Sequence, residues 1–426
     1  MPRRRPAASA VGGGGGGTAD GNGDDEYGGD GVNVDDLLAG ARDATGLSDF
    51  GDDELFGGDL WRDALARLLA SLEAEARLSE LGRAIVASEQ ANYLTTRLRV
   101  VDHHRAHPEI RERGITPPIV IVGQARTGTT MLHDVLAQDA AHRAPLTWEV
   151  DLPLPPPRTE TYLTDPRIAQ VDATFELVDQ VIPEFRAVHQ LGARLAQECS
   201  RIAGGSFVSV IFPTQFHIPA YLDWLLHDAV RDGHHAAAYV WHRRYLELLQ
   251  SEHPGERWLV KSPAHVWTLP QLLAEYPGAL LVQTHRDPAR VMASTASMLF
   301  HLRRLYSDDV RVAELGPEFS ELILDGLERS AEARLDGTIR SEQVVDVQFR
   351  DLMADPLGTA RAIYGAFGFE LTDDAEARIA GFLRDNPRER WGGHEYTFAD
   401  TALDLAAVRQ RTARYSKQFG VPEEVL

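Results

Sequence analysis

The chain has 426 residues and a formal net charge of −21 at pH 7, so it can hold one large catalytic domain with additions, or two domains. This acidic balance argues against nucleic acid as a partner. The single cysteine excludes an intrachain disulfide and favours a reducing, cytoplasmic location. No apolar run approaches the roughly 18 residues that a membrane-spanning helix needs, and no apolar stretch after Arg3–Arg5 resembles a secretory signal.

The N-terminal part of the chain differs in composition from the rest. Residues 1–53 contain the run Gly12–Gly17 and a Gly/Asp-rich stretch with few large apolar side chains, which predicts a disordered tail. Residues 54–117 carry leucines at helical spacing, for example from Leu60 to Leu72, and predict an N-terminal helical region.

The next segment combines a strand, a glycine loop and a helix. Residues 119–122 are β-branched and predict a short buried strand, and Gly123–Thr130 runs into a helical pattern. In such a unit, backbone N–H groups and the positive helix N-terminus converge on an anion. The spacing is that of a Walker A loop, but Thr129 stands where the phosphate-binding lysine is expected. The fixed positive charge is Arg126 instead, which disfavours a hydrolase of Mg-ATP or GTP and favours another anionic donor.

Strands and helices alternate through the remainder of the chain. A mostly helical, aromatic-rich insertion is expected at about 166–252, and short β runs at 258–260, 279–284 and 344–349 each precede a helical pattern. This order predicts an α/β fold over residues 118–426: a P-loop-type three-layer fold with a central parallel sheet flanked by helices. Ligands bind beyond the carboxyl ends of such strands, so the chemistry is expected there.

Two strand ends carry candidate functional residues. Lys261 is one of only two lysines among 43 basic residues, and an ammonium at a strand end can follow charge that develops on a bridging oxygen. Arg286, with Ser294 two turns into the following helix, would make a second anion site. Asp287 and Pro288 suit the cap and first turn of that helix. The alternative to a functional role is that Lys261 is a solvated side chain at a strand end. For Arg286 it is that the arginine pairs with a surface carboxylate.

Together these segments resemble the sulfotransferases that use 3′-phosphoadenylyl sulfate (PAPS), in particular the bacterial members with arginine in the loop. Gly123–Thr130 resembles their 5′-phosphosulfate loop, GxPRSGTT, with Ala125 for proline and Thr127 for serine. Arg286 and Ser294 match the 3′-phosphate motif. The segment that begins at Lys261 resembles the one that carries the family's lysine near the sulfonate.

Two further segments extend the resemblance. Phe349-Arg350-Asp351-Leu352 resembles a family segment whose tyrosine faces the adenine; phenylalanine keeps the stacking face but loses the hydroxyl. A C-terminal basic-glycine loop has a loose counterpart in residues 388–393, where Arg390 is a candidate ligand of the 3′-phosphate.

The resemblance implies transfer of a sulfuryl group from PAPS to a hydroxyl or amine of a small or lipid-like acceptor. Such a reaction is an in-line displacement through a loose transition state, with little covalent work for the protein. Lys261 would assist the leaving oxygen, and no metal is expected. The 5′ end of the donor would be held by the loop residues Arg126, Thr127, Gly128, Thr129 and Thr130.

The general base has three candidates. Glu149 lies 23 positions beyond Arg126, in the region where protein-tyrosine and heparan sulfotransferases place their glutamate base. His265 lies four positions past Lys261, near the place where phenol and steroid enzymes use a histidine. His189 is the third candidate.

Two other classes of protein stay open at this stage. One is a P-loop kinase or other nucleotide-dependent phosphotransferase, which the missing Walker lysine opposes and for which Asp287 is the nearest metal-holding candidate. The other is a non-catalytic nucleotide-binding scaffold.

Overall fold

The computed structural model describes residues 33–181, 192–386 and 397–426. Within them, a five-stranded sheet has the strand order β2-β3-β1-β4-β5, and every pairing is parallel. The strands are β1 Ile119–Val122, β2 His142–Arg143, β3 Arg257–Lys261, β4 Leu280–His285 and β5 Val344–Gln348. The predicted α/β fold with a central parallel sheet is confirmed. The two-residue strand β2 was not predicted, because it is too short to show a periodicity.

Helices surround this sheet on both faces. The α-helices before β3 are α1 Val34–Thr45, α2 Leu60–Glu75, α3 Glu80–Ala106, α4 Thr129–Leu136, α5 Thr147–Asp151, α6 Pro166–Val181, α7 Cys199–Ala203, α8 Ile211–Gln215, α9 Pro219–Leu226, α10 Asp228–Arg231 and α11 His234–Leu249. Those after β3 are α12 Leu269–Glu275, α13 Pro288–Arg303, α14 Val312–Leu335, α15 Phe349–Ala354, α16 Pro356–Phe367, α17 Asp373–Asp385 and α18 Leu405–Phe419. Short 3₁₀ turns occur at Glu54–Phe56, Pro108–Arg111, Thr159–Thr161, Gly204–Ser206, Pro263–Trp267, Ser341–Gln343 and Phe398–Thr401.

The central strand β1 is buried on both faces. Ile119 and Ile121 pack into one apolar cluster with residues of α4, α16 and α17, whereas Val120 and Val122 pack into another with residues of α11 and α12. This alternation is the side-chain period of a strand, and burial on both sides explains the uninterrupted Ile/Val sequence. Each such side chain contributes about 1.5–3 kcal/mol relative to an exposed one.

The strand register brings several chain segments to one edge of the sheet. Ile121 lies opposite Lys261, Val122 opposite Gln283, and His285 opposite Gln348. Because the strands are parallel, the loops that follow β1, β3, β4 and β5 all leave from this edge. The glycine loop, Lys261, Arg286 and Phe349 therefore belong to one neighbourhood, as the sequence predicted.

The prediction that residues 1–53 are disordered is wrong for residues 33–53. Helix α1 begins after Asn33, whose side chain accepts a hydrogen bond from Asp35 N, and ends at Gly46 in the left-handed conformation. Leu38 and Phe50 are buried in a core shared with α2 and α3. The Gly/Asp-rich composition concealed a short amphipathic helix, whose few large apolar side chains (Val34, Leu37 and Leu38) pack against this core.

The helical regions predicted before and within the sheet domain pack together. Apolar side chains of α2 and α3 share a core with Phe207, Phe212, Tyr221 and Trp224 from the predicted insertion. Most of the aromatic residues noted in the sequence are thus core residues. Among the described residues, none of the helices has the length and apolar character needed to cross a bilayer.

Candidate active site

The glycine loop between β1 and α4 depends on two glycines in unusual backbone conformations. Gly123 has a φ of 141° and packs so tightly that a Cβ would clash with the hydroxyl oxygen of Thr284 on β4. Gly128 has a φ of 90°, and a Cβ there would lie 2.9 Å from Leu352 Cδ2. Arg126 also has a positive φ, 68°, which costs a non-glycine residue of order 1–3 kcal/mol. The fold thus holds a strained arginine inside the loop.

The hydroxyl groups of the loop have different roles. Thr127 is buried, and its Oγ1 donates to Gln124 O at 2.6 Å and lies 2.6 Å from Thr284 Oγ1, so this side chain braces the loop against β4. Thr130 is exposed at the start of α4, and its Oγ1 accepts a hydrogen bond from Lys261 Nζ at 3.2 Å. The first N–H groups of α4 have no intrahelical acceptor and carry the positive end of the helix dipole.

Arg126, Arg286 and Ser294 are joined by direct hydrogen bonds. Arg126 Nε donates to Ser294 Oγ at 2.9 Å, and Arg286 Nη1 donates to Arg126 O at 3.0 Å. The Arg286 guanidinium also lies 3.8 Å from the ring centre of Phe349, which packs beside Gly128. The loop, the second anion site and the aromatic residue predicted separately from the sequence are therefore contiguous.

Arg286 is also held by a carboxylate that the sequence analysis did not identify. Its Nε and Nη2 donate to the two carboxylate oxygens of Glu424 at 2.8 and 3.0 Å. The backbone N–H of Glu424 donates to Asp287 Oδ2 at 2.7 Å, which fixes the position of the glutamate. A two-oxygen acceptor on the arginine fork is the geometry that a phosphate also adopts.

Lys261 lies at the end of β3 and is 1% exposed. Besides its bond to Thr130, its ammonium forms an ion pair with Glu198, the residue directly before α7. The Glu198 side chain is 24% exposed, and its carboxylate also accepts a hydrogen bond from Ser200 Oγ at 3.2 Å. Sequence reasoning missed Glu198 because no motif surrounds it; the isolated lysine indicates a carboxylate partner but not which one.

Glu149, the favoured base from the sequence, is fully buried. Arg143 donates to both of its oxygens at 3.2 and 2.7 Å, and Leu146 N and the Tyr162 hydroxyl each donate to Oε1 at 2.9 Å. These four hydrogen bonds and the lack of exposed surface favour a structural role for this carboxylate. The geometry thus argues against the predicted role of Glu149 and places Glu198 next to Lys261 in its stead.

Of the other predicted site residues, only His265 lies within the described part of the chain, whereas His189 and Arg390 do not. His265 is buried, with Nδ1 2.8 Å from the Tyr239 hydroxyl; burial lowers its pKa to about 3, and His242 contributes. His265 is therefore neutral at pH 7.

Asp287 caps helix α13, as the sequence predicted. Its Oδ1 accepts from Ala289 N at 3.0 Å, and its carboxylate also pairs with Arg409 and accepts from Glu424 N. Both oxygens are occupied by these partners, so Asp287 does not fit the metal-holding role that a P-loop kinase requires. Among the described residues, no group of three or more His, Cys, Asp or Glu side chains is arranged to hold a metal ion.

Known proteins resemble this chain in sequence and in fold. A family model described as "Sulfotransferase family" matches residues 117–374. The crystal structure of sulfotransferase STF1 from Mycobacterium tuberculosis is 34% identical, with a TM-score of 0.78 over 90% of this chain and 99% of that one. Sulfotransferase STF9 from Mycobacterium avium is 28% identical, with a TM-score of 0.82 over 92% of this chain and 98% of that one.

A curated relative carries a more specific name. The omega-hydroxy-beta-dihydromenaquinone-9 sulfotransferase Stf3 of Mycobacterium bovis is 24% identical over 297 residues, which cover 67% of this chain and 72% of Stf3. The family match spans more than half of the present chain. The kinase alternative is not favoured, because Asp287 does not fit the metal-holding role and the relatives named above are sulfotransferases. The chain belongs to the sulfotransferase family, and its chemistry is sulfuryl transfer.

Proposed function

We propose that this sulfotransferase uses PAPS as its donor and transfers the sulfuryl group to a hydroxyl or amine of a lipid-like acceptor. The observation that carries the proposal is the hydrogen-bonded chain Ser294–Arg126–Arg286, which joins the glycine loop to a second anion site. Lys261 contacts the same loop at Thr130. A donor with a phosphosulfate at one end and a phosphate at the other needs two such sites. ATP carries all its phosphates at one end and does not.

In this proposal each part of the site holds one part of the donor. The N–H groups at the start of α4, the Arg126 side chain and the hydroxyls of Thr129 and Thr130 hold the 5′-phosphosulfate. Arg286 and Ser294 hold the 3′-phosphate after Glu424 has been displaced, and Phe349 packs against the adenine. Arg390 remains a proposed additional ligand of the 3′-phosphate.

In the proposed reaction, Glu198 takes the proton of the acceptor and Lys261 stabilises the negative charge that develops on the leaving oxygen. The acceptor oxygen attacks sulfur, its proton passes to the Glu198 carboxylate, and the bond from sulfur to the 5′-phosphate oxygen breaks. Protonation neutralises Glu198, so Lys261 leaves the ion pair as negative charge builds on the bridging oxygen. The products are a sulfate ester and 3′,5′-adenosine bisphosphate. A general base contributes roughly 10²–10⁴-fold in rate.

Two observations support the acceptor class and the location. Stf3, a relative at 24% identity, is named for a hydroxylated menaquinone derivative, which supports an acceptor with a large apolar body. The single cysteine, buried at position 199, favours the cytoplasm.

Donor choice can be tested by thermal unfolding. A ligand that binds only the folded protein raises its melting temperature. We expect 3′,5′-adenosine bisphosphate to raise it and ATP with magnesium to raise it much less. The reverse order would favour a phosphotransferase, and no shift with either ligand would contradict the proposal.

A further inference from the structure

A cavity lies next to the chain segments that carry Lys261 and Glu198, and it spans about 550 Å³ of atom-free space, part of which is open to solvent. Its wall includes Cys199 and Ser262, which directly follow Glu198 and Lys261 in the sequence. The cavity therefore borders the residues that directly follow the pair to which we assign proton and charge transfer. Much of the remaining wall is apolar and comprises Ala203, Val208, Val210, Leu225, Leu226 and Trp267.

Two histidines in this wall have unused hydrogen-bonding capacity. His265 is 3% exposed and His242 is 2% exposed. Nδ1 of His265 lies 2.8 Å from the Tyr239 hydroxyl, and Nδ1 of His242 lies 2.8 Å from the Tyr276 hydroxyl. In both rings Nε2 is buried and has no hydrogen-bond partner in the part of the chain that the structure describes. Other buried histidines also have an unpartnered nitrogen, but His265 and His242 both line this one cavity, where a bound ligand could satisfy them.

Both imidazoles are neutral at pH 7. Burial lowers the pKa of His265 to about 3 and that of His242 to about 4. A neutral imidazole next to apolar side chains cannot compensate a buried charge, but it can donate to or accept from an uncharged oxygen. The cavity is thus suited to an uncharged ligand with a hydrogen-bonding group.

We propose that this cavity binds the aliphatic body of the acceptor and that a second, uncharged oxygen of the acceptor hydrogen-bonds to Nε2 of His265 or His242. This inference rests on the proposed function, because it places the reacting hydroxyl at Lys261 and Glu198. The acceptor class is an amphiphilic alcohol with a hydroxyl or carbonyl oxygen remote from its reacting end. An alcohol without that oxygen would leave both histidines unsatisfied and would bind less tightly.

The test compares ligands that differ only in the second oxygen. Each α,ω-alkanediol from butanediol to dodecanediol is paired with the 1-alkanol of equal length, and dissociation constants are measured by calorimetry on the full chain, with and without 3′,5′-adenosine bisphosphate. The variants are His265→Leu and His242→Leu. The matched control is His104→Leu, because His104 is also buried, has a pKa lowered to about 4 and keeps one unpartnered nitrogen, but does not line the cavity.

We expect the wild type to bind the diol at least about tenfold more tightly than the alkanol at one or more chain lengths, after correction for its two equivalent ends. The preference should fall in one or both cavity variants and persist in His104→Leu. Absence of the preference at every length in the wild type, or its persistence in both cavity variants, would overturn the inference. A diol preference without binding of the bisphosphate would keep the cavity assignment and reject the proposed donor.

Discussion

The carboxylate of Glu424 accepts two hydrogen bonds from the guanidinium of Arg286, at 2.8 and 3.0 Å. The pair is partly shielded, with the side chains 31% and 10% exposed, respectively. Because Arg286 is the proposed ligand of the donor's 3′-phosphate, the phosphate has to compete with a carboxylate of the same chain. A phosphate carries more negative charge than a carboxylate, so a ligand with a 3′-phosphate is better able to displace Glu424 than one without it.

Glu424→Gln should therefore tighten the binding of 3′,5′-adenosine bisphosphate by about fivefold, since a partly exposed ion pair contributes roughly 1 kcal/mol. The affinity for 5′-AMP, which lacks the 3′-phosphate, should change little. Calorimetry measures both. The control is Glu423→Gln, because Glu423 is 75% exposed and pairs with Arg409 at 3.7 Å rather than with Arg286. Equal effects on the two nucleotides would contradict competition at Arg286.

Arg286→Ala should weaken the bisphosphate by roughly 10–100-fold, the range expected when hydrogen bonds from a charged donor are lost. Binding of 5′-AMP should be nearly unaffected, because the 5′ end is assigned to the glycine loop. Arg350→Ala is the matched control, since that arginine is 65% exposed and pairs with its neighbour Asp351. A similar loss for both nucleotides would remove Arg286 from the 3′-phosphate site.

Glu198→Gln should mainly affect turnover, whereas Glu149→Gln should mainly affect stability. We expect Glu198→Gln to lower kcat by roughly 10²–10⁴-fold, because an amide cannot accept the acceptor's proton, and to lower the melting temperature less than Glu149→Gln does, because the Glu198 side chain is 24% exposed. Glu149→Gln should mainly lower the melting temperature, because it leaves Arg143 buried without a full counter-charge. Rate assays and thermal unfolding on both variants decide between them. Near-normal turnover by Glu198→Gln would reject it as the base.

Asp134 on α4 should make the stability depend on pH. Burial raises its pKa to about 7, and Lys261 opposes part of this shift. The unfolded chain loses this proton near pH 4 and the folded protein near pH 7, so folding stability falls as pH rises between these values. Asp134→Asn should cancel this loss and stabilise the protein at pH 7–8 more than at pH 4.

Denaturant unfolding at several pH values measures the effect of Asp134, with Asp102→Asn at an exposed helical position as the control. An Asp134→Asn variant whose stability relative to the wild type does not change with pH would contradict the assignment.

The sequence predicted those parts of the fold and site that depend on local pattern. The strand at 119–122 and the runs near 258, 280 and 344 have the predicted order, and parallel packing brings Lys261 and Arg286 to the edge that holds the glycine loop. These predictions held because each motif combines a strand end with the residues that directly follow it.

The partners that required long-range contacts could not be predicted. Glu198 meets Lys261 across 63 positions, and Glu424 meets Arg286 across 138. The same limitation concealed the surroundings of Glu149, because one of its hydrogen-bond donors is Tyr162, 13 positions away, whose orientation no periodicity reveals. Helix α1 was missed for a different reason, since averaged composition outweighed its few buried apolar residues.

The most direct test follows labelled sulfur from PAPS to an alcohol acceptor in the wild type and in Lys261→Met, which keeps the aliphatic stem but removes the ammonium. Lys417→Met is the matched control, because it changes the only other lysine of the chain, an exposed residue on α18. We predict transfer by the wild type and the control, and a loss of at least about 10²-fold in Lys261→Met with 3′,5′-adenosine bisphosphate still bound. Undiminished transfer by Lys261→Met would contradict the account.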